Sequence, residues 1–110
     1  MDRSNVIILC AAESTQDETY GQFTESYTER EVYCAISSVS GSEWFEAGRN
    51  GIKAELRVRM FKYDYKGETE CMVGGQRYGV YRTYEGQGEY IDLYLERKAG
   101  VENEQQESIG

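Results

Sequence analysis

The sequence predicts an all-β fold: a small antiparallel barrel or rolled sheet of about six strands, with one short helix and a long N-terminal loop. Short segments of alternating apolar and polar residues recur along the chain, as they do in half-buried strands. A glycine pair and turns that contain glycine separate these segments at hairpin spacing, and the chain has no proline. Because 110 residues leave room for one modest core, we expect a single domain over residues 1–100.

Two predicted strands in the N-terminal third flank the long loop. The run VIILCAA is apolar without alternation, which indicates a strand buried on both faces. In the second segment, EVYCAISSVS, Val32, Cys34 and Ile36 share one face, as in a half-buried strand. The stretch Glu13–Glu31 is polar and acidic and has no helical periodicity. We expect a long loop there, and loops of this length in compact domains are usually functional or disordered.

The next segment contains the one candidate for a helix. Ser40, followed three residues later by Glu43, matches a capping box, and nearby glycines can end the helix. Trp44 and Phe45 are adjacent in this short helix and therefore cannot share one face. We expect one of them to close an end of the barrel and the other to be exposed as an anchor for a protein interface.

The C-terminal half supplies the remaining strands. In AELRVRMFKYDY, the apolar Leu56 and Val58 alternate with Arg57 and Arg59, which predicts a strand with one face in solvent. Gly74 and Gly75 mark a hairpin turn between the next two strands. The remaining segments follow as the turn YKGE, the strands TECMV and QRYGVYRTY, the turn EGQG and the strand EYIDLYLERK.

Two registers remain open for the last hairpin. A four-residue loop would pair Val80 with Leu93, so that Tyr78 points inward and Tyr81 points outward. A loop one residue longer would turn Tyr81 inward instead. In the first register Arg82 has to extend from the end of the barrel to reach solvent. In either register the outward tyrosines of the last strand are Tyr90 and Tyr94.

The charge of the chain is unevenly distributed. Residues 1–31 carry 2 basic and 7 acidic side chains (2 − 7 = −5), and residues 32–98 carry 10 of each (10 − 10 = 0). Residues 99–110 carry no basic and 3 acidic side chains (0 − 3 = −3), and the three parts together give the net charge of −8. This acidic balance argues against a general nucleic-acid binder, which gains affinity through lysine and arginine. We expect residues 101–110 to form a disordered acidic tail.

Several kinds of chemistry lack the residues that they need. The chain has no histidine, so a nucleophilic triad would lack its base. Cys10, Cys34 and Cys71 lack metal-ligand spacing, and we expect buried free thiols in a reducing compartment. The run VIILCAA is too short to span a bilayer and does not resemble a leader. We therefore expect no catalytic residues, no metal, no cofactor and no membrane association.

An alternative function is that of a small β-barrel module that binds single-stranded nucleic acid. Arg57 and Arg59 with the nearby Tyr63 and Tyr65 would form the stacking face. The competing interpretation is an exposed strand whose arginines pair with acids of a neighbouring strand such as Glu68 and Glu70. The acidic balance of the chain favours the second interpretation.

The order of several segments resembles the head-closure, or head–tail stopper, proteins of long-tailed phages. The resemblance runs from about residue 4 to residue 100, and no single motif in it is diagnostic. The segments are REVYCAISSVS, EWFEAGRNGIK, FKYDYKGE, YGVYRTYEG and IDLYLERKAG. The resemblance implies a small β-barrel that assembles as a ring beneath the portal and adaptor proteins and seals the DNA-filled head.

The same resemblance implies partners and candidate residues. The ring would contact further copies of itself, the portal or adaptor protein, and a tail-completion or tail-tube protein, while DNA passes without sequence-specific binding. The protein would reside in the virion, and in the host cytoplasm before assembly. Either the loop Glu13–Glu31 or the segment Ser42–Gly51 would line the channel. The loop candidates are Asp17, Glu18, Tyr20 and Glu25, and the protein-interface candidates are Trp44, Phe45, Arg49, Tyr81, Tyr84, Tyr90 and Tyr94.

We expect deletion of residues 101–110 to leave the thermal midpoint of unfolding almost unchanged, because this segment has little apolar surface to bury. Calorimetry of the full-length and shortened chains measures this directly. A decrease of many degrees would show that the tail docks on the barrel.

Overall fold

The computed structural model describes the backbone of residues 5–16 and 23–98, and the side chains of residues 5–12 and 27–98. The predicted tail and the loop candidates Asp17, Glu18 and Tyr20 lie outside these residues. The described elements are β1 (Asn5–Gln16), β2 (Phe23–Ser38), α1 (Gly41–Arg49), β3 (Ala54–Phe61), a 3-10 turn (Lys62–Asp64), β4 (Glu70–Val73), β5 (Gln76–Tyr84) and β6 (Tyr90–Arg97).

The strands form a closed antiparallel barrel in the order β1-β2-β3-β6-β5-β4, in which β4 pairs back to β1. The first two strands form one hairpin, and β4 with β5 and β5 with β6 form the others. The crossover from β2 to β3 passes through α1, and β3 pairs with β6. The predicted all-β barrel with one short helix is confirmed.

The core of the barrel consists of side chains from all six strands. Alternation places Val58 and Met60 of β3 opposite Leu93 and Ile91 of β6, and all four are buried. Full burial of an aliphatic side chain stabilises the fold by roughly 1.5–3 kcal/mol relative to leaving it exposed. Tyr78 belongs to this core, as predicted, and its hydroxyl donates to Glu55 over 3.0 Å. The other buried members are Ile7, Leu9, Val32, Cys34, Cys71 and Leu95.

The predicted long loop is largely wrong. The β1–β2 ladder continues as far as the pair Gln16 and Phe23, and Glu25 lies in β2 opposite Ser14 rather than in a loop. Strands that extend beyond a core need no alternation of apolar residues, so the polar sequence gave no sign of them. Threonine and aromatic residues, which favour strands, are frequent in FTESYT.

Part of the β1–β2 ladder extends beyond the barrel walls. In the described chain, β1 pairs with β4 only through Ile8, Leu9 and Cys10, and β2 pairs with β3 only from Ala35 onward. Among the described residues, the backbones of residues 11–16 and 23–28 form ladder pairs only with each other. We call these two segments the arm. Six residue pairs at about 3.3 Å per residue make it about 20 Å long.

A β-bulge changes the register of the last hairpin. Val80 pairs with Leu95 rather than with Leu93, and Arg82 pairs with Tyr94, so that Tyr81 is the extra residue. The predicted register is therefore wrong, although Tyr78 and Val80 still face inward. Because a bulge shifts the alternation by one residue, Arg82 lies on the outer face and need not extend from the end of the barrel.

The three cysteines are free and buried, as predicted. Burial raises the pKa of the Cys34 thiol to about 11 and that of Cys71 to about 12, because an apolar environment disfavours the thiolate. Cys34 and Cys71 therefore act as small core residues at neutral pH.

The prediction that β1 is buried on both faces is wrong at Val6, which is exposed.

A buried ion pair attaches β2 to the connection between β3 and β4. Arg30 donates from Nε and Nη2 to Glu68 Oε2 over 3.0 and 2.6 Å, and Glu68 is almost fully buried. Arg30 also donates to the carbonyl of Asp64, and the Lys66 amide donates to Glu68 Oε1. Burial alone would raise the pKa of Glu68, but these hydrogen bonds hold it below its ordinary value.

We expect Glu68→Gln to lower the free energy of unfolding at pH 7 by about 2 kcal/mol, because it leaves the Arg30 guanidinium without its carboxylate. The folded-state pKa of Glu68 is depressed, so this contribution is present above the ordinary value of 4.5 and is lost as pH falls below it. Urea unfolding of the wild-type protein and of Glu68→Gln at several pH values measures this loss. The free energies of unfolding of the two proteins should become equal as the pH falls. The matched control is Glu31→Gln, an exposed neighbour of Arg30 on the same strand. Equal effects of both substitutions would contradict this assignment.

Candidate protein-interaction surface

The outer surface of β3, β6 and β5 carries most of the predicted interface residues. Cross-strand pairing places Arg57 beside Tyr94, Arg59 beside Asp92, and Phe61 beside Tyr90. On the other side of β6, Arg82 pairs with Tyr94 and Tyr84 pairs with Asp92. We call these outward residues the tyrosine–arginine face: Arg57, Arg59, Phe61, Tyr81, Arg82, Tyr84, Tyr90, Asp92 and Tyr94.

The middle of this face is fixed by one buried carboxylate. Arg59 donates from Nε to Asp92 Oδ1 over 2.7 Å and from Nη2 to Oδ2 over 3.0 Å, a bidentate geometry. The Asp92 side chain is only 5% exposed. Hydrogen bonding to Asp92 raises the pKa of Arg59 above its ordinary value. A cleft of about 220 Å³ lies above this pair, bordered by Tyr84, Tyr90 and the turn of the hairpin.

Aromatic contacts order the tyrosines of this face. Phe61 and Tyr90 stack with their ring centroids 5.1 Å apart and their planes inclined by 12°. Tyr81 and Tyr94 make a tilted contact at 6.3 Å, and the Arg82 guanidinium lies 3.9 Å from the centre of the Tyr94 ring. Tyr90 and Tyr94 are consequently half-buried, whereas Tyr84 at the end of the hairpin is exposed.

Glu43 of α1 connects the helix to this face. Its carboxylate accepts hydrogen bonds from Arg82 Nε and Nη2 and, over 2.6 Å, from the Tyr81 hydroxyl. The hydrogen bond from Arg82 lowers the pKa of Glu43, while burial and the Glu43 carboxylate raise the pKa of Tyr81. The Glu43 amide donates to the Ser40 hydroxyl over 3.1 Å, so this half of the predicted capping box is present. The Glu43 carboxylate binds the sheet instead of completing the box.

The helix presents both of its large aromatic side chains to solvent. Trp44 is 59% exposed and Phe45 is 60% exposed, so the prediction that one of them closes the barrel is wrong. Ala47 is the buried residue of α1, because Glu43 holds this small residue towards the sheet. Arg49 is exposed and forms an ion pair with Glu46 over 3.4 Å. A cleft of about 660 Å³ lies beside Trp44, between the end of β2 and the start of β3.

The structure thus arranges the predicted interface residues in two adjoining groups. Trp44, Phe45 and Arg49 lie on the helix, and the four tyrosines lie on the tyrosine–arginine face. Sequence reasoning did not predict the contacts of Glu43, Arg82 and Asp92, which join or order the two groups. Asp92 was visible as an acid among outward residues of the last strand, but its arginine partner depends on the β3–β6 pairing.

The residues of the nucleic-acid alternative do not form one face. Tyr65 packs against the core and donates its hydroxyl to the Glu68 carbonyl over 2.6 Å. Tyr63 is 72% exposed in the 3-10 turn, and Arg59 is bound to Asp92. The proposed pairing of Arg57 and Arg59 with Glu68 and Glu70 is also wrong. Glu68 binds Arg30, and Glu70 binds Arg77 and Lys98.

Within the described residues, no group of three or more acidic, cysteine or histidine side chains is placed to hold a metal ion. None of the described helices is long and apolar enough to cross a membrane. No protein-family model matches the chain, and no curated protein matches it. The residues and contacts of the chain therefore carry the functional argument.

We expect Glu43→Gln to lower the free energy of unfolding by about 1 kcal/mol and to speed amide exchange in α1, because the helix loses its charge-assisted hydrogen bonds to Arg82. Chemical denaturation and hydrogen exchange measure the two effects. The matched control is Glu46→Gln on the same helix, whose exposed pair with Arg49 contributes a few tenths of a kcal/mol at most. Equal effects at both positions would show that Glu43 does not hold the helix.

Proposed function

We propose that this protein is a structural subunit of a phage or prophage head–tail connector, which forms a ring that closes the DNA-filled head and joins it to the tail. The resemblance of the sequence to head-closure proteins supports this function. The observation that carries it in the structure is the presence of two unlike contact surfaces on one closed barrel. These are the exposed aromatic helix with its adjoining face, and the projecting arm.

Two different surfaces on one chain favour a ring. When one surface of a subunit binds a different surface of the next copy, the contact is head-to-tail and repeats until the rotation closes. Trp44 and Phe45 supply apolar area of the type that carries binding energy at protein interfaces. Tyrosine adds contact area with few rotamers to restrict, which also suits an interface.

The charge of the sequence that contains the arm and the residues between its two segments suits a channel for DNA. The sequence from Glu13 to Thr28 contains four acidic residues and no basic residue. An acidic lining repels phosphates and lets a duplex pass, whereas a basic lining would bind it. In this arrangement DNA is a passing cargo without sequence-specific contacts. The portal or adaptor protein binds one side of the ring and a tail-completion or tail-tube protein binds the other.

We expect the protein to bind the portal–adaptor assembly encoded by the same genome, with a blue shift of Trp44 fluorescence. Trp44 is the only tryptophan of the chain and is exposed, so burial of its ring in an interface changes its emission. Phe45→Ala should weaken binding by about tenfold or more, as expected for the loss of an exposed aromatic anchor.

The matched control is Tyr63→Ala, which removes an aromatic side chain that is at least as exposed but lies in the 3-10 turn away from α1. It should leave binding unchanged. The proposed function fails if the wild-type chain does not bind the assembly. Binding without a change in Trp44 emission, or equal losses for the two variants, would remove α1 from the interface.

A further inference from the structure

The outer face of the barrel wall formed by β4, β1 and β2 carries an apolar patch that is open to solvent. Val6 and Tyr33 pair across the β1–β2 ladder, and they are 43% and 64% exposed. Ile8 lies on the same face as Val6, because side chains alternate along a strand, and it pairs with Met72 on β4. Ile8 and Met72 are half-buried. We call these four residues the wall patch.

The wall patch has an acidic border on β2. Glu31 pairs with Ile8 across the ladder, and Glu29, two residues before Glu31, lies on the same face. Both acids are exposed, and neither has an ion-pair partner among the described residues. Arg77 of β5, whose ladder partner belongs to the wall patch, is bound to Glu70. The unpaired charge beside the wall patch is therefore negative.

The surface around the helix is also apolar but carries the opposite charge. Trp44 and Phe45 are both more than half exposed, and the cleft of about 660 Å³ beside Trp44 has room for an aromatic side chain. Lys53 lines this cleft, is exposed, and forms no ion pair within the part of the chain that the structure describes. Glu55, the acid of the cleft, is bound to Arg97 over 2.9 Å. We call Trp44, Phe45 and Lys53 the helix surface.

The wall patch and the helix surface belong to different sides of the subunit. The closed strand order places β4, β1 and β2 side by side, across the barrel from β3, β6 and β5. The helix packs on β3 and is held to β5 by the hydrogen bonds from Arg82 to Glu43. Its cleft also touches Ser38 of β2, but Ser38 lies five residues along the strand from Tyr33, about 17 Å away. Tyr33 and Trp44 both remain largely exposed, so the two surfaces do not cover each other within one copy.

We propose that the wall patch of one copy binds the helix surface of the next copy, with Tyr33 beside Trp44 and Glu31 paired with Lys53. Both surfaces present exposed aromatic side chains of the kind that carries binding energy, and their unpaired charges are opposite. The contact joins two different surfaces, so it is head-to-tail and repeats from subunit to subunit until the ring closes. It rests on the proposed function and deepens it, since it assigns the surfaces that meet between neighbours in the ring.

Mixing two variants of the full chain tests this arrangement. Tyr33→Ala damages the wall patch alone and Trp44→Ala damages the helix surface alone, and both side chains lie outside the core. We expect wild-type protein to associate between micromolar and millimolar concentration in sedimentation experiments. Each variant alone should associate about tenfold more weakly or worse, as expected for the loss of an aromatic anchor.

Equal amounts of the two variants should form a dimer that does not grow further, because each copy retains one intact surface. The tryptophan of the Tyr33→Ala copy is then the only one in the dimer, and its emission should shift to the blue. No association of the wild-type protein, or a mixture that associates no better than either variant alone, would overturn the proposal. A dimer without a change in emission would also overturn it.

Exchange of the two charges tests the pairing of Glu31 with Lys53. Glu31→Lys and Lys53→Glu should each weaken association by roughly threefold to tenfold, and the double variant should restore most of it. Glu89→Lys makes the same charge change at an exposed acid in the turn between β5 and β6, and it should leave association unchanged. Additive losses in the double variant, or an equal loss with Glu89→Lys, would overturn this pairing.

The outcome is separable from that of the proposed function. If the wild-type protein and Tyr33→Ala assemble equally well on the portal–adaptor assembly, the contact between copies is wrong while the connector function stands. If the mixed variants form the dimer but the wild-type protein does not bind that assembly, the contact between copies stands and the connector function fails.

Discussion

The structure depends on the closure of the barrel by a short ladder between β1 and β4. Among the described residues three pairs make this seam, from Ile8 with Met72 to Cys10 with Glu70. Without it both strands would present unpaired edges, and Leu9 and Cys71, which pair across the seam, would lose their shared burial. Outside the seam, Arg77 donates to Glu70 over 2.7 Å and to the Tyr27 hydroxyl over 3.1 Å. The seam is thus covered by apolar packing on one side and by a hydrogen-bonded arginine on the other.

Closure of the barrel gives its inner and outer faces different roles. The core residues point inward and supply the stability, which leaves the outer surface to carry charge pairs and aromatic rings. On that surface most arginines are matched by an acid of a neighbouring element, and several of these pairs, such as Arg30 with Glu68 and Arg82 with Glu43, join distant parts of the chain. The acidic surplus of the sequence lies outside this balanced part, in residues 1–31 and 99–110.

The sequence was informative where burial imposes a period. Alternation in β3 and β6 predicted their inward residues correctly, and the glycine pair placed the β4–β5 turn. It was uninformative where no core constrains the chain, which is why the arm resembled a loop. The bulge at Tyr81 follows from the fit between β5 and β6, since it turns Arg82 outward without moving Val80 from the core.

The candidate interface residues were proposed from their residue types, and their arrangement could not be predicted. One of Trp44 and Phe45 was expected to close the barrel end, yet the helix buries Ala47 and is held by Glu43, so neither ring is needed to fill the barrel. The partners Glu43 with Arg82 and Arg59 with Asp92 lie 39 and 33 residues apart in sequence. Such pairs become visible only when the strand order is known.

Electron microscopy of phage particles made after disruption of the gene tests the proposed connector function most directly. We expect heads that package DNA but do not remain closed, together with separate tails, and complementation by the wild-type gene should restore complete particles. Complete, DNA-filled virions with attached tails in the absence of the protein would contradict the function proposed for this barrel.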